Sequence, residues 1–178
     1  MGKIAFLFAG QGAQYPGMGK ELCEASPAAA KVFAAAGAVR PGTSRQCFEG
    51  TKEELTQTVN TQPTVFAVDL AAAVALQEAG IRPDGVAGFS LGEVAAVTFA
   101  GLFGLEAGFE LVTARGEYMD AAAKAHPGAM VAVLGMEDEE VEALCRQFDE
   151  AWPVNYNSGG QVVVATREEN AQPLIAKV

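Results

Sequence analysis

The chain has 178 residues, half of them apolar and 19% charged, which is one ordinary domain's worth of polypeptide with enough apolar material for a core and too much for a disordered chain. Twelve Lys and Arg against 22 Asp and Glu give a formal net charge of -10, an argument against a nucleic-acid partner, which needs a basic face. Gly, Asp or Glu break the apolar stretches well before the roughly 18 residues of a membrane span. The opening MGKIAFLFAGQGAQ lacks a long leader-type apolar region, and Phe6 stands where a myristoylation site needs Ser or Thr. Cys23, Cys47 and Cys145 are odd in number and without CxxC spacing. They read as reduced, partly buried thiols of a cytoplasmic protein, not as a disulfide or a zinc site.

In chain order, residues 3–9 form an apolar run that stops at Gly10-Gln11-Gly12, the pattern of a buried parallel strand feeding a tight loop. Residues 17–37 carry helical spacing, with Ser26-Pro27 as a helix start. Residues 38–50 hold Pro41, Gly42 and Gly50 and read as loop. Thr51-x-x-Glu54 is a capping-box pattern that opens a short helix. Gln62-Pro63 opens a long Ala-rich helix to about residue 79, closed by Gly80. A second short strand, 84–89, runs into Ser90 and a helix over 91–100. After glycines at 101 and 104, a helix runs from 105 to about 124. His126-Pro127-Gly128 then marks the boundary between a large subdomain, 1–125, and a small one, 126–178. The small one reads strand 129–134, helix 138–148, strand 154–157, strand 161–165 and a helix from about 167 still running at 178. That order is the split βαβ, or ferredoxin-like, unit short of its last strand. The large part offers four or five helices and only two strands, too few for a parallel sheet covered on both faces. Both subdomains are therefore expected to be incomplete, as the front portion of a longer design.

Gly88-Phe89-Ser90-Leu91-Gly92 matches G-x-S-x-G between a strand and a helix, the setting in which a serine is held on a strained turn with its hydroxyl exposed. The glycines let strand and helix crowd together. The helix start offers free N–H groups, so the Leu91 N–H is placed to stabilise an oxyanion on a substrate bound to Ser90. Gly10-Gln11-Gly12 fails as a dinucleotide fingerprint, since Tyr15 stands at the third glycine, and as a P-loop, since Met18-Gly19 replaces Lys-Ser/Thr. Its Gln11 N–H is either a second oxyanion donor or part of a plain structural turn.

The blocks FLFAGQGAQYPGMGKEL, TQPTVFAVDLA, VAGFSLGEVAAV, LVTARGEYM, PGAM and NYNSGGQVVVA, in this order and over essentially the whole chain, resemble the malonyl-CoA:acyl carrier protein transacylase family and the related acyltransferase domains of fatty acid and polyketide synthases. The resemblance implies an α/β fold: an α/β-hydrolase-like large subdomain with an inserted ferredoxin-like small one. It implies an acyltransferase of fatty acid biosynthesis that moves a malonyl group from coenzyme A to the phosphopantetheine thiol of acyl carrier protein. It implies no metal and no bound cofactor, with coenzyme A entering only as the thioester substrate. It matches Ser90 to the nucleophile, Gln11 and Leu91 to the oxyanion donors, and Arg115 to the arginine that pairs with the free malonyl carboxylate. Gln62 matches a pocket glutamine, and Asn155 and Asn157 match polar residues of the small subdomain that face the substrate. Taken without the resemblance, Arg115 is an exposed helix arginine, Gln62 a helix-start residue before Pro63, and the two asparagines turn-flanking residues.

Two departures from the family pattern stand out. Phe89 occupies the place of the usual elbow histidine, which is not the base. The family's general-base histidine follows the small subdomain, and His126, the one histidine here, does not match it; without a base a serine is a weak nucleophile. This leaves two rivals: a serine esterase or thioesterase of the same fold, which would have no use for Arg115, and an inactive fragment that needs a C-terminal complement or a second chain. Docking an acidic carrier protein would need a local basic cluster such as Lys3, Lys20 or Arg82, or residues beyond the end.

Overall fold

In the computed structural model, which describes residues 2–178, the first unit opens on strand β1 (Ala5–Phe8), whose alternation puts Phe6 and Phe8 inward and leaves Leu7 outward. Helices α1 (Lys20–Ala25), α2 (Pro27–Val39), α3 (Thr43–Glu49), α4 (Lys52–Thr56) and α5 (Thr58–Glu78) follow, then β2 (Gly85–Gly88), α6 (Leu91–Phe99) and α7 (Leu105–Ala125). The two strands pair in parallel from Ala5 opposite Gly85 to Phe8 opposite Gly88. Reciprocal bonds close the start of the pair, from Ile4 N–H to an Asp84 carboxylate oxygen and from Asp84 N–H to the Ile4 carbonyl, both 2.8 Å. The core joins Phe6 and Phe8 to Phe99, with ring centroids 5.7 and 5.6 Å apart, and Phe66 of α5 to Phe109 of α7 edge-on at 4.9 Å. Chain contacts divide the molecule into this unit, ending at Ala121, and a second over Ala122–Val178.

The second unit is β3 (Gly128–Leu134), α8 (Asp138–Cys145), β4 (Ala151–Ser158), β5 (Gln161–Arg167) and α9 (Glu168–Ile175). Its antiparallel sheet has the order β3-β5-β4. Val133, Val162 and Val164 bury one sheet face with Val141 and Leu144 of α8 and Leu174 of α9. Capping by Glu137 and Glu140 fixes the start of α8.

Five sequence expectations need correction. Residues 43–49, expected as loop, are helical: Gly42 takes φ +91° before α3, and Arg40 donates to Gln46 (2.5 Å) and Asn60 (2.7 Å), tying the segment to α5. The long helix begins at Thr58, not at Gln62-Pro63, and Pro63 lies inside α5. Burial of Thr61, Gln62, Pro63 and Thr64 outweighs the one backbone bond the proline forfeits. β4 begins at 151 instead of 154, because Ala151–Pro153 pair with Val164–Thr166 of β5. α8 ends at Cys145 and α9 at Ile175, each short of the expected end. α5 is also long and apolar enough to cross a membrane, with a mean hydropathy of 1.3 over its best window, but 61% of that window is buried inside the protein, as befits a core helix.

Candidate active site

Ser90 sits at the junction of β2 and α6 with φ 53° and ψ -102°, one of two non-glycine residues of positive φ among the described residues. Holding such a conformation costs ~1–3 kcal/mol and needs surroundings that over-determine it. They do: Phe89 N–H donates to the Phe8 carbonyl (3.2 Å), and Gly92 N–H to the Phe89 carbonyl (2.9 Å). A Cβ on Gly92 would lie 2.2 Å from the Phe8 carbonyl oxygen, and one on Gly88 2.0 Å from the Gly92 carbonyl carbon. Both glycines of the motif are thus required by the crossing of α6 over the end of the sheet. Leu91 is the first residue of α6, so its N–H has no acceptor within the helix and is free for a ligand. Phe89, in the elbow, is half exposed and its ring lies over Gly10, where a Cβ would come within 2.8 Å of it.

Arg115 on α7 donates from Nη2 to Ser90 Oγ (3.0 Å) and from Nη1 to Gln62 Oε1 (2.5 Å). With its oxygen taken by the guanidinium, the Gln62 amide turns Nε2 to Gln11 Oε1 (3.2 Å), and Gln11 Nε2 turns to Thr58 Oγ1 (3.4 Å). One chain of hydrogen bonds, donated outward from Arg115, thus joins Ser90 on one side and Gln62, Gln11 and Thr58 in turn on the other. Close packing of α7 on α5 makes it possible, since a Cβ on Gly116 would stand 3.1 Å from the Gln62 Cβ. Gln62 is 1% exposed. The bare reading of Arg115 as an exposed helix arginine and of Gln62 as a helix-start residue is overturned: the first is half-buried beside the serine and the second is a core residue of α5.

Gln11 lies in the turn closed by Ala13 N–H on the Gly10 carbonyl (3.4 Å), which leaves the Gln11 N–H out of the turn's own bond. Asn155 and Asn157 lie on β4 of the second unit, the first half-buried and the second exposed, beside register shifts in the β4–β5 ladder. His126 is exposed just ahead of β3. All three cysteines are free. Cys47 is buried, and burial pushes its thiol up to about 12, which makes it inert. Among the described residues no three of His, Cys, Asp and Glu come together as a metal site.

Two residues at the site escape sequence reasoning. Thr58 closes the hydrogen-bond chain, and Asp69, on the same helix, accepts from Ala9 N–H through Oδ1 (3.3 Å). The signal that could have found them is their spacing with Gln62: counted from Thr58, Gln62 and Asp69 stand at offsets of four and eleven along α5, hence on one face.

The acyl transferase domain family matches residues 5–178. Among similar proteins is a malonyl CoA-acyl carrier protein transacylase of Bacillus subtilis (strain 168), 42% identical over 170 residues, which are 93% of this chain and 54% of the relative. The corresponding protein of Escherichia coli (strain K12) is 36% identical over 95% of this chain and 56% of its own length. A solved malonyl-transacylase, described in complex with its type II polyketide acyl-carrier protein, superposes with a TM-score of 0.89 at 34% identity, covering 97% of this chain and 58% of that one. The chain therefore spans about half the length of the curated relatives it matches.

Proposed function

The chain belongs to the acyl transferase domain family, and from that premise we propose that it carries the nucleophile, oxyanion and carboxylate-binding part of a malonyl-CoA:acyl carrier protein transacylase of fatty acid or polyketide synthesis. The observation that supports this most is the Arg115 guanidinium donating to Ser90 Oγ, a cation one hydrogen bond from the serine on the strained elbow. A hydrolase of neutral acyl esters has no use for a charge there. A transferase of an acyl group that ends in a carboxylate does, because a guanidinium grips a carboxylate through two parallel hydrogen bonds.

In this reading Arg115 exchanges its bond to Ser90 for the malonyl carboxylate, while Gln62 keeps the guanidinium oriented. Ser90 Oγ then attacks the thioester carbonyl, and the oxyanion forms on the N–H groups of Leu91 and Gln11. The C–S bond breaks, the coenzyme A thiol leaves with the serine's proton, and a malonyl ester remains on Ser90. The phosphopantetheine thiol of acyl carrier protein takes the malonyl group by the reverse steps. The proton acceptor in the family pattern is a histidine that no residue of 1–178 matches; Arg115, the group bonded to Ser90, is a donor and cannot serve. Asn155 and Asn157 belong to the proposal as polar residues toward the substrate. So do a cytoplasmic setting, in keeping with the free cysteines, and a reaction without metal or bound cofactor.

Replacement of Arg115 tests this reading. Arg115→Ala should cost malonyl transfer ~2–5 kcal/mol in transition-state stabilisation, since a desolvated charge loses its partner, whereas transfer of an acetyl group should fall less or rise. Equal losses for the two acyl groups would refute a carboxylate-binding role.

A further inference from the structure

Helix α5 meets the turn after β1 through one polar stripe. Thr58, Gln62 and Asp69 stand at offsets of four and eleven, within about 40° of one another around the helix. The first two hold the Gln11 side chain, and the third holds the Ala9 N–H, the backbone donor just ahead of the Gly10–Ala13 turn. The same stretch of backbone is pressed from another side by α6: a Cβ on Gly92 would lie 2.2 Å from the Phe8 carbonyl oxygen and 2.7 Å from that of Ala9. The end of β1 is thus held between the first turn of the nucleophile's helix and the Asp69 carboxyl. The second oxygen, Oδ2, is buried with no hydrogen-bond partner. Asp69 also lines an apolar groove of about 250 Å³ walled by β1 and by Ala72, Ala73 and Leu76 of α5. Nothing in the proposed transfer chemistry uses this carboxyl.

We propose that Asp69 is a positioning residue for the turn that carries the Gln11 N–H, and that its proton governs how firmly this turn is held. The charged carboxylate accepts the Ala9 N–H through a charge-assisted bond, shorter and about twice as strong as the neutral one. The protonated carboxyl keeps only the weaker bond. Burial raises the Asp69 carboxyl to about 7, and the Ala9 N–H acts in the opposite sense; these are the two influences on it. The groove brings no second titratable side chain. Among the elements packed on α5, Lys20, Glu21 and Glu24 of α1, Lys31 of α2, Arg45 and Glu49 of α3, Lys52 and Glu53 of α4, Glu93 of α6 and Glu106, Glu110, Glu117 and Lys124 of α7 are exposed, Asp120 of α7 is half-buried, Arg115 of α7 is bonded to Ser90 and Gln62, and Glu54 is held by Arg45 and Gln46. The switch therefore operates near neutral pH and belongs to Asp69 alone. Its consequence for catalysis, a pH dependence of Ser90 acylation that is neither the serine's nor the base's, rests on the proposed transfer reaction.

The test is an NMR titration of the labelled 178-residue chain from about pH 5 to about pH 9. The Asp69 carboxyl carbon should titrate near neutrality, and the amides of Ala9, Gly10 and Gln11 should move with the same midpoint. Asp69→Asn, which keeps an acceptor for the Ala9 N–H, should abolish that step. Turn amides that do not follow the Asp69 carboxyl in the wild-type spectrum overturn the proposal, and that spectrum decides it even if the variant fails to fold. A step that survives in Asp69→Asn overturns it equally. A second arm follows Ser90 acylation by malonyl-CoA over the same range: the ratio of wild-type to variant rates should change several-fold across neutrality, and a constant ratio contradicts the proposal. Absence of acylation in both proteins at every pH counts against the transferase reading alone, since the titration of the turn is read without substrate.

Discussion

Ser90 and Asp69 show two ways in which single residues of this chain hold an unfavourable state. Ser90 sits at positive φ because two glycines let α6 cross within contact of the end of β1. Asp69 holds a carboxyl in an apolar groove because a backbone N–H partly offsets its desolvation. The second has a measurable consequence for stability. Its folded value, about 7 against the ordinary 3.8, means that between these two pH values the folded protein binds a proton that the unfolded chain does not. The stability this confers is fully present below about pH 4 and is lost as pH rises through about 7. Asp69→Asn has no charge to bury, so its melting temperature should exceed that of the wild type at about pH 8 by a margin that shrinks toward about pH 4; a margin independent of pH contradicts the burial of an ionisable group here. At this scale the sequence was partly legible. Strand, glycine, serine, glycine and helix announce Ser90 and the Leu91 N–H, because the geometry is local. The partners of Arg115 and of Asp69 are not announced. They lie 53 and 60 residues away along the chain, and which long side chain meets which is decided by helix packing.

Side chains cap the starts of α2, α4 and α8. Thr51 Oγ1 accepts from Glu54 N–H (3.2 Å) at the head of α4, as the T-x-x-E pattern predicts. Ser26 goes further: its buried hydroxyl accepts from Ala29 N–H (3.1 Å) at the head of α2 and donates to Glu78 Oε2 (2.5 Å) in the last turn of α5. Ser26→Ala should therefore lose a cap and a tie between two helices together, ~1–3 kcal/mol, where Thr51→Ala loses a cap alone, ~0.5–2 kcal/mol. Urea unfolding of the two variants checks this; an equal or smaller loss for Ser26→Ala contradicts the double role. Most elements were legible because hydrophobic period and caps agree. The failures occur where a local breaker is overruled from a distance. Pro41 and Gly42 read as loop, yet Arg40 draws α3 onto Asn60. Pro63 reads as a helix start, yet the segment before it is buried helix.

Over the whole molecule, the two-stranded parallel sheet leaves the outer edge of β1 without a paired strand among the described residues, and Leu7 beside it is 80% exposed. The sparse strands were legible in the sequence. So was the split βαβ order of the second unit, whose antiparallel sheet has the order β3-β5-β4. For chemistry, Ser90 Oγ is bonded to a cation and, among the described residues, to no base. The polypeptide of residues 1–178, assayed by itself, should therefore transfer malonyl groups to acyl carrier protein slower than family transacylases by a factor on the order of 10⁴–10⁶, the loss typical of a serine site that lacks its base. Turnover at ordinary transacylase rates would show that a residue of this chain serves as the base.

The central claim is that the serine on the strained elbow takes up the malonyl group, and the most direct measurement is the mass of the acylated protein. Incubation with malonyl-CoA, followed by intact mass and peptide mapping, should place one malonyl ester on Ser90, which even a slow reaction accumulates. The ester should be absent from Ser90→Ala and diminished in Arg115→Ala. An adduct on another residue, such as the half-buried Cys23, or an undiminished adduct in Ser90→Ala, would contradict the account.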